Sequence, residues 1–214
     1  MCSIVSHSLR IWLSIALSLA VEGSSVFGAE LPVTETIVLV RHGEKPADGL
    51  GQLNCQGLNR ALALPAVIGK LFGRPDAVFA PDPAQSKEDY GHLYNYVRPL
   101  ATIEPTAIVF GLPVDASIGV ENLDALRHKL VSPVYRNSLV VVAWEHAAIA
   151  KLARLLVADR GGDPTIVPDW QADDFDSIYF VKLAQTEAGT SVTFDQRREE
   201  LDGQPTVCPD PAPR

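Results

Sequence analysis

The sequence predicts a three-layer α/β domain built on a largely parallel sheet. Three observations predict it. Thr36-Ile37-Val38-Leu39-Val40 and residues 138–144 (Ser-Leu-Val-Val-Val-Ala-Trp) are continuous apolar runs rich in β-branched residues. Such runs mark strands buried on both faces of a sheet. Segments with apolar residues at helical spacing lie between and after them, and alternating strands and helices give a parallel α/β sheet. The chain has 214 residues and is 47% hydrophobic, enough for one medium domain with a full core. The absence of any repeat with a period of about 20 to 50 residues excludes solenoids and propellers.

Each element has a local reason. The first strand covers 36–40. Asn54 is placed to cap the helix that follows, over Leu58, Ala61, Leu62, Val67, Ile68, Leu71 and Phe72. Pro65 predicts a kink there and Gly73 ends it. Residues 76–80 read as a second strand closed by Pro81. The polar stretch 82–97, with Tyr90, Tyr94 and Tyr96, reads mainly as a loop. Pro99 suits the first turn of a helix running towards Gly111, with Pro105 a defect in it. A short strand over 114–117 and a helix capped by Asn122 come next. After the strand at 138–144, a helix buries Ile149, Leu152, Leu155 and Leu156 and stops at Gly161-Gly162. Residues 177–183 and 190–194 alternate around the turn Glu187-Ala188-Gly189, which predicts a hairpin. The Pro-rich tail from Pro205 onward is loose unless Cys208 tethers it.

The amino terminus reads as an address. Arg10 precedes the apolar run 11–21, and small residues follow, with Val26 and Gly28 at the positions a signal peptidase reads. Cleavage after Gly28 leaves residues 29–214 as the domain and predicts export to a periplasm or the medium. The run is too short for a stable membrane anchor, which needs about 20 residues. Arg10 and Glu22 leave together, so the mature net charge stays at -8. That charge argues against a nucleic-acid partner, which needs a basic face. Cys55 and Cys208 remain as an even pair in an oxidising compartment. The sequence alone leaves open whether they are bonded, and it leaves the oligomeric state open too.

In an open α/β sheet, ligands sit beyond the carboxyl ends of the strands. Two strands here end in histidine. Arg41-His42-Gly43-Glu44-Lys45 follows the first, and Glu145-His146 follows the strand at 138–144. Cations beside His42 favour its neutral, nucleophilic imidazole. The same cations attract an anion, and the fork of an arginine matches phosphate oxygens. Gly43 lets backbone approach an oxyanion. Together these residues predict a histidine that accepts a phosphoryl group in a cationic pocket. No metal-ligand spacing, dinucleotide fingerprint or Gly-x-Ser-x-Gly elbow is present, so no metal and no cofactor is assigned.

Val38-Leu39-Val40-Arg41-His42-Gly43-Glu44 resembles the signature block of the histidine phosphatase, or phosphoglycerate-mutase-like, superfamily. Leu53-Asn54-Cys55-Gln56-Gly57-Leu58-Asn59-Arg60-Ala61 is similar to that family's second block, at the expected distance. The resemblance spans about 36–183. It implies an α/β/α sandwich whose sheet is mostly parallel with an antiparallel edge strand. It also implies His42 as the phosphorylated nucleophile and Arg41 as a phosphate ligand. Arg98-Pro99-Leu100-Ala101-Thr102-Ile103 matches the block of the second arginine, with Pro99 and Ala101 departing from the pattern. His146 matches the second histidine, which contacts the transferring group. The residue after it is Ala147, where the family often has glycine or an acid, so the proton donor is open. Glu145 is the first candidate; Glu121 and the pair Glu88/Asp89 come next. Lys45 and the three tyrosines either guide substrate or simply pack and solvate the loop.

The implied activity is hydrolysis of small phosphate monoesters through a phosphohistidine on His42, without metal. The alternative is a binding module that keeps the pocket but lacks a competent acid. Mutase activity is disfavoured for an exported chain.

Overall fold

The computed structural model describes residues 33–186 and 189–209. The signal segment that the sequence predicts over 1–28 lies outside the described residues. The elements in chain order are β1 (Val33–Arg41), α1 (Cys55–Leu71), β2 (Ala77–Pro81), β3 (Ser86–Asp89), β4 (His92–Asn95), α2 (Arg98–Phe110), β5 (Val114–Ile118), α3 (Leu123–Leu130), β6 (Leu139–Trp144), α4 (His146–Ala158), β7 (Ser177–Thr186) and β8 (Gly189–Arg198). Six strands form one sheet in the order β5-β2-β6-β1-β7-β8. The first four in that order are mutually parallel. β7 runs against β1, and β8 returns beside β7 as the hairpin read from the sequence.

Alternation along β1 builds the three layers. Ile37 and Leu39 point to one face, where they meet Leu126 and Leu130 of α3 and Ile149, Leu152 and Leu156 of α4. Val38 and Val40 point to the other, against Leu64 and Ile68 of α1 and Ile103 and Ala107 of α2. All four β1 residues are fully buried, which is why the run contains no polar side chain. Asn54 and Asn122 act as caps, accepting from Gly57 N at 2.9 Å and Ala125 N at 3.1 Å. Both α1 and α2 run through their internal prolines, Pro65 and Pro105. Burial of a full helix face on the sheet outweighs one missing backbone hydrogen bond.

The stretch 82–97 is not simply a loop. It forms a second, two-stranded sheet, β3 against β4, turning through Tyr90 (φ 52) and Gly91 (φ 79). Positive φ at both central residues is what a tight hairpin turn requires. Its side chains are polar or exposed on both faces, so it carried no hydrophobic period to read.

The tail is held. Cys55 and Cys208 form a disulfide with Cα atoms 4.5 Å apart, across a separation of 153 residues. Asn59 Nδ2 donates to the carbonyls of Pro205 (2.8 Å) and Val207 (2.9 Å). Next to these contacts Arg60, only 1% exposed, pairs with Glu44 (2.8 Å), Glu199 (2.7 Å), Asp176 (3.3 Å) and Asp202 (3.2 Å). The loop after β1, helix α1, the residue before β7 and the segment after β8 therefore meet at one buried guanidinium. Among the described residues no helix is long and apolar enough to cross a membrane.

Candidate active site

β1 and β6 are parallel neighbours, with Arg41 opposite Trp144. The ladder continues one step further, where His42 N donates to Trp144 O at 3.1 Å. His42 and Glu145-His146 therefore leave adjacent strands at the same end. The third part of the site arrives through α2. Gly43 N donates to Thr102 Oγ1 (2.9 Å), and that hydroxyl donates to the carbonyl of Arg98 (2.8 Å). This chain of bonds ties the turn after His42 to the first turn of the helix that begins with Arg98. Helix α1 presses on the same turn. A Cβ on Gly57 would lie 2.3 Å from Glu44 O, and one on Gly43 would lie 2.9 Å from Gly57 Cα. The glycine of the second sequence block is thus explained by close backbone approach.

His42 is 3% exposed. Its Nδ1 lies 2.8 Å from Gly43 O. A carbonyl only accepts, so Nδ1 carries the hydrogen and Nε2 keeps a free lone pair. The ring is flanked by Tyr96, edge-on at 6.1 Å, and by Phe175 at 6.2 Å. Burial, with the positive charges of Arg98 and Arg41, pushes the imidazole down to about 3, against the opposing pull of Gly43 O and Glu145. His42 is therefore neutral at any ordinary pH.

Both arginines are buried, each 4% exposed. Arg41 Nη1 donates to the carbonyls of Ala172 (2.9 Å) and Asp174 (2.7 Å), and its guanidinium lies 3.7 Å from the centre of the Phe175 ring. Arg98 Nη1 pairs with Asp89, and its guanidinium lies 4.9 Å from the centre of the Tyr96 ring. The Nε–H of Arg41 is buried without a hydrogen bond among the described residues, whereas the Arg98 guanidinium and the Tyr96 hydroxyl interact with each other. Leaving a buried donor unpaired costs about 1 to 3 kcal/mol, so the Arg41 donor suits an acceptor-rich group.

His146 opens α4, a position of partial positive charge. Its Nδ1 lies 2.5 Å from Glu145 Oε1. The other carboxylate oxygen of Glu145 caps the helix, accepting from Ala148 N at 2.9 Å. Burial opposes ionisation of Glu145, but His146 and the N–H groups of Ala148 and Ala147 outweigh it and hold the carboxyl at about 2. Among the other acid candidates, Glu121 is 81% exposed and pairs with Lys87, and Glu88 is exposed on the hairpin. Asp89 is buried between Lys45 (2.7 Å) and Arg98. These two cations overcome the effect of burial and keep its carboxyl below the usual range.

The fold thus gathers Arg41, His42, Arg98, Glu145 and His146 at one end of β1 and β6. The sequence offers no sign of Phe175, and it leaves Tyr96, with Tyr90 and Tyr94, between guiding substrate and packing the loop. Thr102 was legible as a residue of the arginine block; Phe175 lies in an irregular segment with no local signal. Among the described residues no group of three or more His, Cys, Asp or Glu side chains is placed to hold a metal ion.

No protein-family model matches the chain, and no curated protein does. Solved structures do. A chain from Nakamurella multipartitia bearing the name phosphohistidine phosphatase SixA is 17% identical, with a TM-score of 0.49, covering 76% of this chain and 95% of its own. A chain of the same name from Agrobacterium tumefaciens is 14% identical, with a TM-score of 0.46, covering 75% of this chain and 96% of its own. A mycobacterial glucosyl-3-phosphoglycerate phosphatase, solved with inorganic phosphate, is 16% identical, with a TM-score of 0.44, covering 75% of this chain and 95% of its own.

Proposed function

We propose that the chain is a phosphatase working through a covalent phosphohistidine on His42. One observation carries the reading. A buried imidazole spends Nδ1 on Gly43 O, which leaves the Nε2 lone pair free, and burial, with the guanidinium groups of Arg98 and Arg41, keeps it uncharged. Nε2 attacks phosphorus, the P–O bond to the leaving group breaks, and its electron pair departs with that oxygen. Arg41, Arg98 and His146 hold the non-bridging oxygens. Water then attacks phosphorus, the N–P bond breaks, and its electrons return to Nε2; the water's proton leaves with phosphate or solvent. Positioning and charge neutralisation supply most of the catalysis such a transfer needs. The scheme uses only the chain's own cations, so activity is expected to survive a chelator.

Glu145 is better suited to orienting His146 than to donating a proton, because it is held ionised. Asp89, the other carboxylate touching the site's cations, is held ionised as well. A basic alkoxide needs an acid to leave, whereas a weakly basic leaving group does not. The substrates this site suits best are therefore aryl or acyl phosphates. The disulfide supports a working place outside the cytoplasm.

The test is an alkaline quench during turnover of p-nitrophenyl phosphate, followed by detection of the phosphoenzyme before and after acid treatment. An acid-labile, base-stable phosphoenzyme is expected, lost in His42→Ala, with rates that fall steeply as the leaving group becomes more basic. Undiminished hydrolysis by His42→Ala overturns the assignment. The ionised state of Glu145 also favours a second reading, a module that binds phosphoryl ligands without chemistry. Binding of nitrophenyl phosphate with no nitrophenolate released in a single turnover would select it.

A further inference from the structure

Asp89 occupies ground that the proposed chemistry needs, and the inference from it rests on the reading of Arg98 as a phosphate ligand. Its carboxylate is 7% exposed and contacts both Lys45 Nζ, at 2.7 Å, and Arg98 Nη1. The backbone makes a seat for it. Gly49 sits at φ 81, and a Cβ there would lie 2.3 Å from the Asp89 carboxyl carbon. A carboxylate on two cations is half of what a phosphate would be. It has the same kind of oxygen acceptors with one negative charge where a phosphate monoester carries nearly two.

The element that carries Asp89 has little else to hold it. Within β3 and β4, Asp89 is the one buried side chain. Leu93 is 73% exposed, and Tyr90 at the turn is 65% exposed. The hairpin's other side-chain ties are Lys87 with the exposed Glu121 at 3.3 Å, Lys87 5.4 Å from the centre of the Tyr96 ring and Lys45 4.6 Å from the centre of the Tyr90 ring, and Gly51 lies against Tyr94 and Asn95 of β4. A lone two-stranded hairpin is marginally stable in water, and this one adds no buried apolar side chain to the core.

We propose that Asp89 is a built-in stand-in for the substrate's phosphoryl group, which holds the β3–β4 hairpin closed over Arg98 until an incoming phosphate displaces it. The doubly charged ligand outcompetes the carboxylate for Lys45 and Arg98, because attraction to the same cations scales with charge. The freed hairpin then swings away from the site and leaves room for the organic part of the substrate.

Two measurements test this with inorganic phosphate as the probe. In Asp89→Asn the competitor loses its charge, so phosphate should inhibit or bind about tenfold more tightly, the worth of one charge-assisted contact. Hydrogen exchange needs no variant: in the wild type, amides of 86–95 should exchange faster when phosphate is added. Unchanged or weaker phosphate binding by Asp89→Asn, or slower exchange of the hairpin with phosphate, overturns the proposal. If the His42 phosphoenzyme forms while these results fail, the stand-in role alone is wrong. If the wild type neither binds phosphate nor forms a phosphoenzyme, the phosphatase reading fails and the stand-in role falls with it.

Discussion

Replacing His42 by glutamine should flatten the acid side of the protein's stability curve. In the folded state the imidazole is pushed down to about 3 by burial and by Arg98 and Arg41, from an ordinary 6.5. As pH falls below 6.5 the unfolded chain takes up a proton that the folded chain refuses. Stability from this group is therefore whole above pH 6.5 and is lost progressively down to about pH 3. The whole difference amounts to about 5 kcal/mol, and the part lost by pH 4.5 to about 3 kcal/mol. Because the ring is 3% exposed, solvent screens little of this. Glu199 works in the opposite sense. Burial in the Arg60 cluster pushes it up to about 8 from 4.5. The folded state therefore holds a proton that the unfolded state releases, and stability is gained as pH falls from 8 towards 4.5. In the wild type the two trends partly cancel, so a single pH curve would mislead. The difference between wild type and His42→Gln removes Glu199 from the comparison. Urea unfolding followed by tryptophan fluorescence, at pH 7.5 and 4.5 with the disulfide intact, supplies it. The variant should gain about 3 kcal/mol on the wild type between the two conditions. Parallel losses in the two proteins would show that His42 is protonated or solvated in the folded state, and the neutral nucleophile would go with it.

Two further outcomes follow from the packing. Removing the bond between Cys55 and Cys208 by double replacement with serine should cost about 5 kcal/mol by the chain-entropy model, given the separation of 153 residues. Denaturant titration of both forms checks it, and a loss under about 1 kcal/mol would mean that Asn59 and Arg60 hold the tail unaided. Gly57→Ala should cost about 1 to 3 kcal/mol through overlap with Glu44. Because the overlap falls on the turn carrying His42, kcat should drop even where the variant is fully folded, as activity assays alongside circular dichroism will show.

What the sequence made legible follows a physical rule. β1 and β6 announce themselves because both faces are buried, so every residue of 37–40 must be apolar. Arg41, His42 and His146 were legible with them, since each lies among the first two polar residues beyond such a run. The β3–β4 hairpin was not legible, because an element that buries one aspartate and no apolar side chain leaves no period in the sequence. The Arg60 cluster was hidden for a different reason: its partners lie up to 142 residues away, and nothing local distinguishes a buried arginine from a surface one.

Glu145 shows where adjacency misleads. Beside His146 in the sequence, at a strand end, it reads as a proton donor. Whether a carboxyl can donate depends on which form its neighbours stabilise, and that is decided by the helix that starts there. At the first turn of α4, free backbone N–H groups and an imidazole all point at it. Each of these favours the anion, and their sum exceeds the burial that would favour the acid. The residue that closes a helix N-terminus is thus the wrong place to seek a proton at neutral pH. With Glu145 and Asp89 both held ionised, neither carboxyl supplies that proton, and the proposed preference for weakly basic leaving groups follows from it.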